Sequence, residues 1–256
     1  MKSILITLVC IFMVKFSYSQ SLVVTKTDGS KTTIALSDIE NITFEDSGFT
    51  DFTDSRDGHV YKVVTIGTQT WMAENLAYLP AVSTSQEGSF TTPYYYVYGY
   101  EGSTVSAAKA TANYGTYGVL YNWPAALTAC PSGWHSPTDA EWKILEKNQG
   151  MSNSDADGIG WRNTGIVGGK LKETGTSHWL SPNTGATNNS GFTALPGGGR
   201  DDNGGFYTLG TYASIWSASE VDASISWYRD LHYFADGVQR FTYEKSGGLS
   251  VRCLQD

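Results

Sequence analysis

Between residues 151 and 210, glycine interrupts the chain too often for any long regular element. Gly158, Gly160, Gly165, Gly168, Gly169, Gly185 and Gly191 lead into the run Gly197-Gly198-Gly199. Each glycine inside a helix costs about 1 kcal/mol relative to alanine, so a long helical bundle is excluded. Single aromatics stand between the glycines: Trp161, Trp179, Phe192, Phe206 and Tyr207. This spacing predicts a long, loop-rich but ordered region, and loops of that length in a compact domain usually carry function. The 8 Trp, 16 Tyr and only 16% charged residues are the reverse of a disordered composition. The net charge of −8 argues against nucleic acid as a partner, because an acidic surface repels phosphates.

Residues 1–19 read as a secretory signal peptide. Lys2 precedes an apolar run from Ile4 to Val14, and Ser17 and Ser19 supply small residues before a cleavage point. Lys15 ends the run well short of the roughly 20 residues that cross a bilayer, so no transmembrane segment is expected in the mature chain. The expected location is secreted, periplasmic or cell-surface. Cleavage near Ser19 removes Lys2, Lys15 and Cys10 but no acid, leaving a mature charge of 15 − 25 = −10. Cys130 and Cys253 remain. In an oxidising compartment two such thiols are most simply one disulfide. A reactive cysteine would need a base and a lowered pKa, and the sequence identifies neither.

Residues 20–45 read as a small N-terminal β unit, with strands at Leu22–Val24 and Thr32–Leu36 around an Asp28-Gly29 turn. The polar stretch 46–56 reads as a linker, and 57–256 as the main domain. Strands are expected at Val60–Ile66 and from Thr70 to Ala73. Two short helices are expected. One covers Pro124–Thr128 with Asn122 as its cap. The other starts at Thr138, where Thr138 and Glu141 form a capping box and Trp142 and Leu145 face the core. Strands return at Ser214–Ser219, Ser226–Tyr233, Val238–Tyr243 and Leu249–Cys253, with Asp236-Gly237 as a hairpin turn.

Seven blocks then carry a resemblance. They are Asp57–Gly67, Trp71–Leu76, Tyr117–Trp123, Cys130–Trp142, Gly191–Gly198, Trp216–Ser219 and Ser250–Cys253. In this order the chain resembles the Fibrobacter succinogenes major paralogous domain over about residues 54–256, and the N-terminal unit looks like the small β segment that precedes it in exported Bacteroidota proteins. The resemblance implies a C-type-lectin-like α+β fold with two short helices, small antiparallel sheets and long Gly-rich loops, in which the terminal strands pair. It also implies kinship to formylglycine-generating enzymes, which share a Pro-Thr-x-x-Glu-Trp helix start, here Pro137–Trp142, and an Arg-Cys ending, here Arg252-Cys253. Their chemistry needs active-site cysteines, whereas both thiols here fall where the family has a structural pair.

No catalytic residue is assigned. His59, His135, His178 and His232 lack zinc-site spacing. For hydrolysis by paired carboxylates, Asp201, Asp202, Glu220, Asp222 and Asp230 are candidates by their presence alone, and acids near loops are usually solvated. Calcium is a possible cofactor: Asp201, Asp202 and Asn203 gather hard oxygen ligands in a Gly-rich loop, although a polar turn accounts for the same residues. Trp161, Trp179, Phe206 and Tyr207 are the candidate ligand-binding residues, with Trp161 and Trp179 expected to be the exposed pair. The expected function is non-catalytic binding of an extracellular glycan or surface protein. A hydrolase or protein-modifying enzyme is the alternative.

Overall fold

Residues 21–25, 29–38 and 48–256 are described by a computed structural model, and they fall in two units divided after Asp46. The signal peptide expected at 1–19 lies outside the described residues. In the first unit β1 (Ser21–Thr25) pairs antiparallel with β2 (Lys31–Ala35), from Ser21↔Ala35 to Thr25↔Lys31.

The second unit opens on a strand inside the stretch read as linker. β3 (Phe49–Thr53) pairs residue for residue with β4 (Val60–Ile66). Phe49 and Phe52 are partly buried while their neighbours stay exposed. Three residues apart, they leave opposite faces of the strand and pack against different core clusters, so no alternation marks the strand in the sequence. In β4, Tyr61, Val63, Val64 and Ile66 are buried. β5 (Gln69–Met72) returns beside it. β6 (Tyr95–Tyr96), the helices α1 (Val105–Lys109) and α2 (Ala112–Tyr117), and β7 (Leu120–Tyr121) follow. Next come α3 (Trp123–Ala126), capped by Asn122, and β8 (Trp134–His135). The capping box of Thr138 and Glu141 starts α4 (Asp139–Asn148), and Trp142 and Leu145 are buried on it.

Helices do not end at residue 150. α5 (Asn153–Asp157) and α6 (Val167–Leu171) flank β9 (Gly160–Arg162), so the described residues hold six α-helices where two were expected. α6 forms despite two glycines because packing overrides propensity. A Cβ on Gly168 would lie 2.0 Å from the Gly237 carbonyl oxygen, and one on Gly169 would lie 2.1 Å from that of Gly185. The last strands are β10 (Gly199–Arg200), β11 (Phe206–Tyr207), β12 (Tyr212–Glu220), β13 (Ile225–His232), β14 (Val238–Glu244) and β15 (Leu254–Gln255).

The larger sheets run β3-β4-β5-β15-β8 and β12-β13-β14-β9. The strand expected at Leu249–Cys253 is instead an extended segment whose hydrogen bonds go to several elements. Leu249 and Tyr121 exchange both bonds, Ser250 bonds to Ser214 and Trp216, Val251 accepts from Leu76, and Cys253 accepts from Met72. Only Leu254–Gln255 joins a ladder, with Leu254 opposite both Trp71 and His135. Cys130 and Cys253 form a disulfide. Beside it Arg252 is fully buried and donates to Asn75 Oδ1 and to the carbonyls of Met72, Phe192 and Thr193.

Candidate ligand-binding site

The four-stranded sheet has two faces of different chemistry. On one, Arg162, Arg229 and Arg240 reach α4. Arg162 grips Glu146 with two bonds of 2.6 and 2.7 Å, and Arg229 reaches the same carboxylate at 2.6 Å. Arg229 and Arg240 share Asp139 at 2.8–2.9 Å. Asp139 and Glu146 lie two helical turns apart, so both face the sheet. This face is closed.

The other face carries the cavity. Residues directly opposite in antiparallel strands share a face. Ser214 pairs with Asp230, Asp230 with Gln239, and Gln239 with Trp161. One row of four side chains therefore crosses the sheet, with Asp230 near its middle. Around this row lies a pocket of about 300 Å³. Its walls are four tyrosines: Tyr207 from β11, Tyr212 from β12, Tyr228 from β13 and Tyr243 from β14. Tyr243 touches two of the others, with ring centroids 5.7 Å from Tyr228 and 6.4 Å from Tyr207. Tyr212 stacks edge-on against His232 at 4.0 Å.

The rim is shaped by a tight turn. The Thr208 carbonyl accepts the N–H groups of Thr211 and Tyr212, which sets Tyr207 and Tyr212 on either side of the opening. Thr208 adopts φ 58°, a sterically costly conformation for a β-branched residue. Gly198 explains part of the glycine run. It has φ +62°, and a Cβ there would lie 2.3 Å from the Tyr207 carbonyl oxygen.

Asp230 is 6% exposed. Its carboxylate accepts one hydrogen bond, from Ser214 Oγ at 2.7 Å, and among the described residues no cation is paired with it. Burial pushes its carboxyl up to about 8, against the opposing effect of the Ser214 bond. It is therefore mainly protonated at neutral pH. The other sequence candidates for carboxylate chemistry lie elsewhere. Glu220 pairs with Lys245 at 2.8 Å, Asp222 accepts the N–H groups of Ser224 and Ile225, and Asp201 accepts that of Gly205 within the β10–β11 hairpin. The pocket lining holds a single carboxyl.

The aromatic candidates separate. Trp161 is 40% exposed, in the Asp230 row. Tyr207 is a pocket wall, and Phe206 packs on Tyr98 at 5.0 Å. Trp179 is not exposed as expected. It is 1% exposed, and its indole N–H donates to the Ala194 carbonyl, because the loop around it folds inward. Asp202 accepts from the side chain of its neighbour Asn203, and among the described residues no three His, Cys, Asp or Glu side chains gather as a metal site. Tyr212, Tyr228, Tyr243 and Gln239 were not singled out by the sequence. Their common signal is the register of three hairpin strands, which no single strand pattern reveals.

A family profile described as the Fibrobacter succinogenes major domain matches residues 64–255. The chain belongs to this family. The Fibrobacter succinogenes major domain thus contains both larger sheets except β3 and the first residues of β4, and it contains every residue of the pocket. No curated protein and no solved structure matches the chain. Among the described residues no helix is long and apolar enough to cross a membrane.

Proposed function

We propose that this protein is an extracellular binding module, without catalysis, for a glycan or a surface protein, and that the tyrosine-walled pocket is its site. One observation carries this reading: four tyrosines enclose a buried carboxyl that has no charged partner among the described residues. A structural aspartate buried this deeply is ordinarily paired or fully hydrogen-bonded. The alternative, glycoside hydrolysis by two carboxyl groups, requires a second acid across the cleft, and the lining offers Asp230 alone. Trp161 extends the site two strand spacings from Asp230, about 9.6 Å, so a ligand larger than the pocket has an aromatic surface to rest on.

The signal-like leader and the disulfide support an exported location. A C-type-lectin-like fold is the finer structural reading. It is supported by a terminal segment that pairs beside β5, by two small sheets and by the long loop region between α4 and β12.

The test is a glycan array and a panel of purified surface proteins, each probed with and without calcium. The mature chain binds at least one member. The double variant Tyr212→Ala/Tyr228→Ala, shown to be folded by circular dichroism, loses at least tenfold in affinity. Binding that survives in this variant would remove the pocket from the reading, and no binding by the wild type would remove the reading itself.

A further inference from the structure

We propose that the pocket is built for a primary ammonium on an unbranched chain, a lysine side chain of a protein partner, with Asp230 as its counter-ion. The proposal rests on the reading of the pocket as a binding site and narrows it to one ligand chemistry.

Three observations converge. First, Asp230 is a carboxyl with no cation paired to it among the described residues, buried in the lining of an accessible cavity. Second, the four walls are phenol rings, and ring faces attract a cation through their quadrupole. Third, the polar groups are concentrated. Ser214, Asp230 and Gln239 lie in one row across the sheet, while the rings stand around them. A lysine matches this arrangement, with methylenes against the rings and a three-donor tip at the floor. An amino sugar would bring several hydroxyls besides its ammonium to a floor whose polar side chains are Ser214, Asp230 and Gln239. A quaternary ammonium would bring no N–H donors to Ser214, Asp230 and Gln239. The acidic chain, with its net charge of −8, also favours approach of a basic partner.

The proposal has a proton signature. The titratable groups facing Asp230 are Tyr207, Tyr212, Tyr228 and Tyr243, with His232 two residues along the same face of β13. Burial raises all four phenols above their ordinary value and lowers the imidazole to about 4, so none of them changes charge between pH 6 and 8. Asp230 does. Below about pH 8 the free carboxyl holds a proton, and an entering ammonium displaces that proton to solvent. Apparent affinity for the cation therefore rises about tenfold per pH unit up to about pH 8 and then levels.

The experiment is calorimetry on the mature chain with Nα-acetyl-lysine methylamide, at pH 6.5 and pH 9, in buffers of different ionisation enthalpy. The uncharged norleucine analogue, glucosamine and tetramethylammonium are the comparison probes. Expected results are at least tenfold tighter binding of the lysine probe than of the norleucine probe, and release of about one proton at pH 6.5 but none at pH 9. D230N loses at least tenfold for the lysine probe and little for the norleucine probe. Equal binding of those two probes, or no proton release, overturns the ammonium assignment. Tighter binding of glucosamine overturns the lysine source, and tighter binding of tetramethylammonium overturns the primary amine. If no amine binds while an array ligand is still lost in Tyr212→Ala/Tyr228→Ala, this proposal fails and the pocket reading stands.

Discussion

Asp230, the carboxyl at the proposed site, also bears on the stability of its own fold. Its carboxyl titrates near 8 in the folded protein and near 4 in an unfolded chain. Between those values the folded state holds a proton that the unfolded state has released, so stability falls as pH rises. The loss is about 1.4 kcal/mol per pH unit, complete by about pH 8 and absent below about pH 4. D230N lacks this slope. Urea unfolding from pH 4 to 9 will therefore show the variant gaining on the wild type until about pH 8, after which the difference is constant. A difference that is the same at every pH would contradict the assignment. Arg252 is the opposite case, a buried charge held by one side-chain amide and three carbonyls. Its position before Cys253 was visible in the sequence, but its four partners come from residues 72, 75, 192 and 193, and no local pattern announces them.

At the scale of elements, α4 was the most legible part of the chain. Its capping box, its buried Trp142 and Leu145 and its N-terminal acids all belong to one local stretch. What the sequence did not disclose is that Asp139 and Glu146 are also the anions that hold the four-stranded sheet. Glu146 is fully buried between Arg162 and Arg229. Removing its charge leaves two buried guanidinium groups short of a partner. E146Q is expected to lose about 3–5 kcal/mol, read from the shift in the urea midpoint, and a change below about 1 kcal/mol would mean the network is not under strain of charge. The hairpin strands β12, β13 and β14 were also legible, with boundaries shifted by one or two residues. β3, α5 and α6 were not. In each, packing by a few residues outweighs local composition, as where two phenylalanines define β3 and the Gly168 and Gly169 contacts define α6. The pocket was legible only in fragments, Tyr207 and Asp230, because it is assembled by register across strands.

At the scale of the whole molecule, the disulfide and the terminal segment act together. The bridge closes 123 positions, and removing such a link costs about 2–5 kcal/mol. Denaturation with and without reductant will show a drop of that size, and peptide mapping without reductant will show Cys130 joined to Cys253. An unchanged midpoint, or two free thiols, would contradict this. The core divides into two clusters. Leu249, Val251 and Cys253 belong to the first, and Leu254 to the second.

That last assignment bears on when the protein can fold. Residues 249–255 supply side chains to both clusters and backbone partners to β5, β7, β8 and β12. None of these contacts exists until the ribosome has added them, and Cys130 waits for Cys253 over more than a hundred residues of synthesis. Neither core cluster can therefore be completed before residues 249–255 have been made.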